Sequence, residues 1–344
     1  MRVFAVNAGS SSLKLSLLEE GRTLEEHALG DPAQPETLQA LEAALPPRDA
    51  VDAVAHRIVH GGPHLHATVV VDDAVRAQLD AAAELAPLHV PPALRILDLL
   101  RSRLAVPHVA CFDTAFHASL PEPARTYAVP REWREVHGVR RYGFHGLSCA
   151  WSLHRAAAQL GRPPQELQIV VAHLGAGASV TAIRDGHSAD TSMGFTPLEG
   201  LVMARRSGSV DPGALLWLLL SRGVAADAMS SALENESGLL GLAGSADMRD
   251  ILQRAAAGDA DAALARDVFV HRACASIAAM AASLHRVDAL VFTGGIGEHA
   301  DDVRERICTG LTVLGDMEVL VVQAREDLQM AREAEQVLRA ARRP

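Results

Sequence analysis

Two adjacent arginines, Arg205 and Arg206, close the stretch Asp190–Gly213 (DTSMGFTPLEGLVMARRSGSVDPG), whose apolar residues follow neither a period of two nor one of 3.6. An irregular, partly apolar segment ending in a guanidinium pair suits the lining of a dry anion site; the alternative is a surface loop with solvated arginines. The amino-terminal VFAVNAGSSSLKLSL holds Lys14, the only lysine in a chain with 31 arginines, and Asn7, one of two asparagines. A Gly-Ser turn between strands offers backbone N–H groups and hydroxyls to phosphate, Lys14 a point charge, and Asn7 a carbonyl oxygen fit for Mg²⁺ or one of its waters; an ordinary hairpin is the competing reading. Further along stand Arg57 in HRIVHGG, Asp113 in CFDTAFH, His145 in RRYGFHG, and Asp247 and Arg249 in GLAGSADMR. Asp113 is flanked by aromatic and apolar residues, which fits either a functional carboxylate or a turn-forming one. His145, between an aromatic and a glycine, can reach into a cleft or serve structure alone. His56, His60, His64 and His66 have spacings open to zinc, but glycines and Pro63 break any helix that would align them.

Apolar strands ending in glycine turns must position these groups. VFAVNAGSSSLKLSL and Ile169–Ile183 (IVVAHLGAGASVTAI) are both strand, Gly-Ser turn, alternating strand; Val51–Gly62 and Val287–Glu298 are both Val-Asp-Ala strands running into paired glycines. Two such pairs in the same order predict a duplicated α/β domain with phosphate turns facing across a cleft. Periodic faces predict helices over Glu36–Leu45, Asp73–Leu85, Val90–Leu104, Trp151–Leu160, Gly213–Arg222, Ala260–His285 and Asp301–Leu311, and an amphipathic one over the last ~18 residues.

At 344 residues, 49% hydrophobic and 22% charged, the chain has room for two cores. A net charge of −10 without a basic run argues against nucleic acid. No apolar run reaches the ~18 residues of a membrane span, and the first residues do not read as a signal peptide. Cys111, Cys149, Cys274 and Cys308 form no CxxC and read as buried thiols of a cytoplasmic protein.

Taken in order, NAGSSSLK, HRIVHGG, APLH, FDTAFH, RRYGFHG, HLGAGAS, DTSMGFTPLEGLVMARRSG, GLAGSADMR and FTGGIGE resemble the acetate kinase family, within the actin, hexokinase and heat-shock ATPase superfamily. The resemblance covers nearly the whole chain. It implies a duplicated actin-like (ribonuclease H-like) α/β fold with an interdomain cleft: residues 1–115 plus 327–344 in one domain and 116–326, binding nucleotide and forming the dimer, in the other. The implied reaction is in-line phosphoryl transfer between ATP and acetate, giving ADP and acetyl phosphate, and its reverse, with Mg²⁺ or Mn²⁺, in a cytoplasmic homodimer. By resemblance Asn7 and Glu326 hold the metal and Lys14 meets the phosphates. Arg57 and Arg206 grip the carboxylate and the migrating phosphoryl group, Asp113 is the essential carboxylate, and His145 donates to the transition state. His173, Leu174, Gly175, Ala176 and Gly177, then Asp247, Met248 and Arg249, then Gly294, Gly295, Ile296, Gly297 and Glu298 form the nucleotide site. Val59, Leu88, Phe144 and Pro197 form the pocket for the alkyl end.

In-line transfer to a carboxylate asks for positioning and positive charge, since the nucleophile is already an anion. Asp113 is therefore expected to orient Arg57, a metal-bound water or the acid instead of removing a proton. The sequence departs from the family at Ala176 (usually Asn in HLGNG), Ala204-Arg205 (Gly-Thr), Ser209 (Asp), Cys149 (His), Val90 (Asn) and around Glu326 (Thr-Asn-Glu-Glu). These leave two rivals: a propionate or butyrate kinase of the same family, and a non-catalytic nucleotide-binding paralogue.

Overall fold

The computed structural model describes residues 1–9, 12–87 and 89–341, so Ser10, Ser11 and Leu88 lie outside the described residues. The backbone divides into two compact units, one made of Met1–Ala118, Phe144–Trp151 and Arg325–Pro344, the other of Ser119–Gly143 and Ser152–Ala324.

The first unit is built on strands β1 (Arg2–Ala8), β2 (Leu13–Glu19), β3 (Arg22–Leu29), β4 (Ala53–Ile58), β5 (Val69–Val70) and β6 (His108–Phe112), in the order β3-β2-β1-β4-β6-β5. β1, β2 and β3 form an antiparallel meander, and β1, β4 and β6 run parallel. The second is built on β7 (Gln168–Leu174), β8 (Ala178–Arg184), β9 (His187–Thr191), β10 (Ala289–Thr293) and β11 (Glu318–Val321), in the order β11-β10-β7-β8-β9. Again the first three are an antiparallel meander, and β7, β10 and β11 run parallel. The repeated meander-plus-parallel topology is the duplication expected from the paired strand-turn motifs.

Both faces of the first sheet are covered, which is why its parallel strands are apolar almost throughout. Phe4, Val6, Val54 and Ala110 pack on one side with Leu94, Ile96, Leu97 and Leu100 of the helix Val90–Arg103. Val3, Ala5, Ala53, Ala55, Val109 and Cys111 pack on the other with Met330, Ala331, Ala334 and Leu338 of the last helix, Glu326–Ala341. Along a strand the side chains alternate faces. On the last helix the residues four apart share a stripe, so Glu326 sits one turn before Met330 on the side turned to the sheet.

Two helix ends differ most from expectation. The helix expected from Trp151 begins at Gly146 instead, after His145, whose φ of 58° is left-handed; a glycine at the first position hid that start. The helix expected to reach His285 stops at Ala281. One histidine of the dense run serves the core with His108: buried His56 Nε2 and His108 Nδ1 lie 2.9 Å apart, and His108 Nε2 donates to the Leu104 carbonyl at 3.1 Å. Burial lowers the pKa of both, so they are held as neutral rings.

Candidate active site

Extending the face covered by the last helix by one residue pair per strand generates the first group of candidate functional side chains. Val3-Ala5 leads to Asn7, Ala53-Ala55 to Arg57, and Val109-Cys111 to Asp113, at the carboxyl ends of three adjacent parallel strands. That end of an open parallel sheet is where ligands bind in α/β folds. Arg57 Nε donates to Asp113 Oδ1 at 3.0 Å and Arg57 Nη2 to Oδ2 at 2.6 Å, while Arg57 Nη1 donates to Asn7 Oδ1 at 3.0 Å. Asn7 Nδ2 in turn donates to Glu326 Oε2 at 3.0 Å. The result is a continuous run, Asp113–Arg57–Asn7–Glu326. Asp113 is 2% exposed, and a buried carboxylate is tolerable only when so paired. Burial works against the charge on Arg57, but the charge and hydrogen bonds of Asp113, with the charge of Glu326, outweigh it and raise its pKa. Lys14, exposed, stands directly opposite Asn7 in the β1–β2 ladder, so the two side chains share a face.

His145 is set by its neighbours. The Gly146 N–H donates to the Asp113 carbonyl at 2.9 Å. A Cβ on Gly146 would lie 2.3 Å from that oxygen, so only glycine allows the approach. His117 Nε2 donates to the Phe144 carbonyl at 2.9 Å, and burial pulls His117 down to about 4, so it stays neutral. Phe144 and Val59 are buried in the same unit, and Leu88 lies outside the described residues.

The second unit presents glycine turns at the carboxyl ends of the parallel neighbours β7 and β10. Gly175–Gly177 follows β7, and Gly294–Glu298 opens the short helix Gly294–His299 after β10. With Ser245, Ala246, Asp247, Met248, Arg249 and Leu252 these turns line a cavity of about 650 Å³. Its largely apolar wall suits a flat base, and the turns offer backbone N–H groups to phosphates. Leu174 and His173 are buried behind the first turn. Asp247 caps the helix Met248–Ala256, accepting from the Arg249 N–H at 2.9 Å and, on Oδ2, from Arg249 Nη2 at 2.6 Å. Glu298 Oε1 accepts from the Ala324 N–H at 2.9 Å.

Of the arginine pair, Arg205 is exposed, whereas Arg206 is half-buried and its Nη1 donates to the Pro197 carbonyl at 2.7 Å. The Ala176 carbonyl accepts from Ala204 N–H at 3.1 Å, tying the turn Gly175–Gly177 to the arginine segment. Sequence reasoning missed this link and also the side chains that hold the 192–200 segment: Tyr127, Arg141 and Glu199. Arg141 belongs to RRYGFHG, so the motif contained a signal that His145 drew away. Among the described residues no three His, Cys, Asp or Glu side chains form a metal-holding group.

Residues 33–336 match the Acetokinase family. The chain belongs to that family. It is 44% identical to an acetate kinase of Deinococcus radiodurans over 347 aligned positions, covering 92% of this chain and 87% of that protein. The structure superposes with a TM-score of 0.88 on the Porphyromonas gingivalis acetate kinase, 33% identical and covering 98% of this chain and 99% of that one. A propionate kinase from Francisella tularensis gives a TM-score of 0.89 at 33% identity, covering 96% and 98%. The fold of the family is thus that of this chain: two actin-like α/β units.

Because Ala176 is exposed at the mouth of the cavity, a longer side chain there has room to reach a phosphate. Ala176→Asn is expected to lower the KM for ATP with kcat unchanged, as read by initial rates over an ATP series. An unchanged or raised KM shows that this turn works around alanine, or that the phosphoryl donor is something other than ATP, such as pyrophosphate.

Proposed function

We propose that this protein transfers the γ-phosphoryl group of ATP to acetate, forming acetyl phosphate and ADP, and catalyses the reverse. The observation that carries this is the run Asp113–Arg57–Asn7–Glu326: a guanidinium fixed on one side by a buried carboxylate, with remaining N–H donors for an anion. A carboxylate oxygen of acetate attacks the γ-phosphorus as the bond to the ADP oxygen breaks, and no proton need move. Arg57 holds the acid and the phosphoryl group, Arg206 and Lys14 meet phosphoryl oxygens, and His145 donates to the transition state. Residues 173–177, 247–249 and 294–298 bind ATP or ADP.

The amide oxygen of Asn7, which accepts from Arg57 Nη1 at 3.0 Å, and the carboxylate of Glu326, which accepts from Asn7 Nδ2 at 3.0 Å, are hard oxygen donors of the kind Mg²⁺ takes in pairs while keeping waters. They fit the metal, and bound there it would neutralise charge on the phosphate oxygens. No helix among the described residues is long and apolar enough to cross a membrane, and the free thiols fit a reducing cytoplasm. The helix Pro212–Ser221 exposes Leu216, Trp217 and Leu220 at 55%, 49% and 82%; an apolar face of that kind fits a second copy of this chain in a homodimer.

Trapping acyl phosphate as the hydroxamate, with ATP, Mg²⁺ and acids of two to four carbons, tests the reading. Highest kcat/KM with acetate is expected. A preference for propionate would assign this chain the activity named for its Francisella neighbour, and nucleotide binding without product would make it a non-catalytic binder. The acid's alkyl end is assigned to Val59, Phe144, Leu88 and Pro197. Val59 is two residues beyond Arg57 and buried, so it leaves space for a methyl group and crowds an ethyl. One methylene is worth ~1–3 kcal/mol in such pockets. Val59→Ala is therefore expected to raise kcat/KM for propionate relative to acetate by about tenfold, and an unchanged ratio removes Val59 from the pocket.

A further inference from the structure

The segment 192–200 carries no helix or strand, yet it supplies the Pro197 carbonyl that holds Arg206. Three side chains clasp it. Arg141 Nη1 donates to the Met193 carbonyl at 2.9 Å and to that of Ser192 at 3.2 Å, and its Nη2 donates to Glu199 Oε1 at 2.9 Å. The Tyr127 hydroxyl accepts from the Phe195 N–H at 3.1 Å, so its own proton goes to Glu199 Oε2, its other close partner. Arg141 also lies over the Tyr127 ring, 5.3 Å from the centroid. Burial first, then the bond to Glu199, raises the pKa of Tyr127, so the hydroxyl keeps the proton it donates.

The backbone is shaped to admit this clasp. A Cβ on Gly194 would fall 1.7 Å from Glu199 Oε2 and 2.1 Å from the Tyr127 hydroxyl. The Gly194 carbonyl accepts from the N–H groups of Tyr142 and Gly143 at 3.0 and 3.2 Å. Both ends of the segment are thereby fixed: residues 192–195 by Arg141 and Tyr127, and Glu199 by the same two side chains. Pro197 lies at the centre of the bracketed span.

The geometry points to Tyr127, Arg141 and Glu199 as positioning residues for the phosphoryl-transfer reaction, holding the Pro197 carbonyl where it orients the Arg206 guanidinium. None of them touches substrate in this assignment; they act through Arg206. The inference rests on the catalytic reading of Arg206. A displacement of about 1 Å in a catalytic group can cost ~100-fold in rate, so a clasp of this kind is worth keeping.

Glu199→Gln keeps the shape and removes the charge shared by Arg141 and Tyr127; Tyr127→Phe removes the hydroxyl and leaves the ring. Each is expected to lower kcat by about tenfold or more with the KM for ATP within about twofold, the split expected when positioning is lost. The decisive measurement is Glu199→Gln in an Arg206→Ala background, with melting temperature recorded for every variant. If the clasp acts through Arg206, the second substitution costs less than about twofold there, because the group it positions is gone. A merely structural role lowers the melting temperature and reduces kcat by the same factor in both backgrounds, and that result overturns the inference. Should Glu199→Gln fail to fold, Tyr127→Phe is carried through the same cycle. Undiminished kcat in Arg206→Ala overturns the catalytic reading and the inference with it. A large loss in Arg206→Ala beside wild-type kcat in Glu199→Gln and Tyr127→Phe overturns the inference alone.

Discussion

Asp113→Asn is expected to lower kcat for acetyl phosphate formation by about 100-fold or more, while the KM for ATP changes little. The asparagine has nearly the shape of the aspartate, so the loss isolates charge and hydrogen bonding from packing. Asp113 accepts from both Nε and Nη2 of Arg57, and these two bonds fix the plane and the reach of the guanidinium. An amide can accept from only one of them; its NH₂ group faces the guanidinium with no acceptor to offer. The Asp113 side chain is 3% exposed and that of Arg57 14%, so water cannot replace what is lost. Removing one partner of a buried pair typically costs ~3–5 kcal/mol of stability, and Asp113→Ala should show that full cost in denaturant unfolding, whereas Asp113→Asn should show less. Removing a preorganised contact to developing charge typically costs 100- to 1,000-fold in kcat. Arg57→Lys makes the complementary case: it retains a positive charge but cannot fork between Asp113 and Asn7, and a comparable fall is expected. Retention of more than a tenth of wild-type kcat by Asp113→Asn would remove the carboxylate from the transition-state machinery and leave it a structural partner of Arg57.

The meeting of these residues was implied by the family resemblance, and strand periodicity is its physical cause. Val3-Ala5-Asn7, Ala53-Ala55-Arg57 and Val109-Cys111-Asp113 each read as two apolar residues on a buried face followed by a polar one, and the parallel register of β1, β4 and β6 brings the three ends together. The expectation that Asp113 orients Arg57, a metal-bound water or the acid followed from the resemblance, and the structure pairs Asp113 with the first of these. The repeated meander was legible, since paired strands and glycine turns are local patterns. Contacts set by loops were not. Tyr127 and Glu199 are 72 residues apart and join through irregular backbone, where no period links one to the other. The start of the helix Gly146–Leu160 was hidden because a glycine there reads as a breaker, while its actual role is the close approach to the Asp113 carbonyl. The resemblance picked Arg206 over Arg205, and packing gives the two different environments, one half-buried and one exposed.

Those environments set the other large effect. Arg206→Ala is expected to lower kcat by about 100-fold or more, and Arg205→Ala by no more than about threefold. Arg206 is half-buried, and its Nη1 donates to the Pro197 carbonyl at 2.7 Å, a contact that restricts the guanidinium. Glu234 lies near enough that the Arg206 charge acts on its carboxyl group, whose pKa burial raises. A guanidinium held in place and still positive is what a phosphoryl group in transit requires, because the rate gain comes from charge already oriented before the bond breaks. Arg205 is exposed, and its interactions with solvent and salt are worth little in either state. Steady-state rates for both variants decide the matter, with added guanidine hydrochloride at sub-denaturing concentration as a control for partial chemical rescue of the Arg206→Ala enzyme. Equal losses in the two variants, or a larger loss in Arg205→Ala, would move the catalytic charge one residue back and detach Pro197 from it.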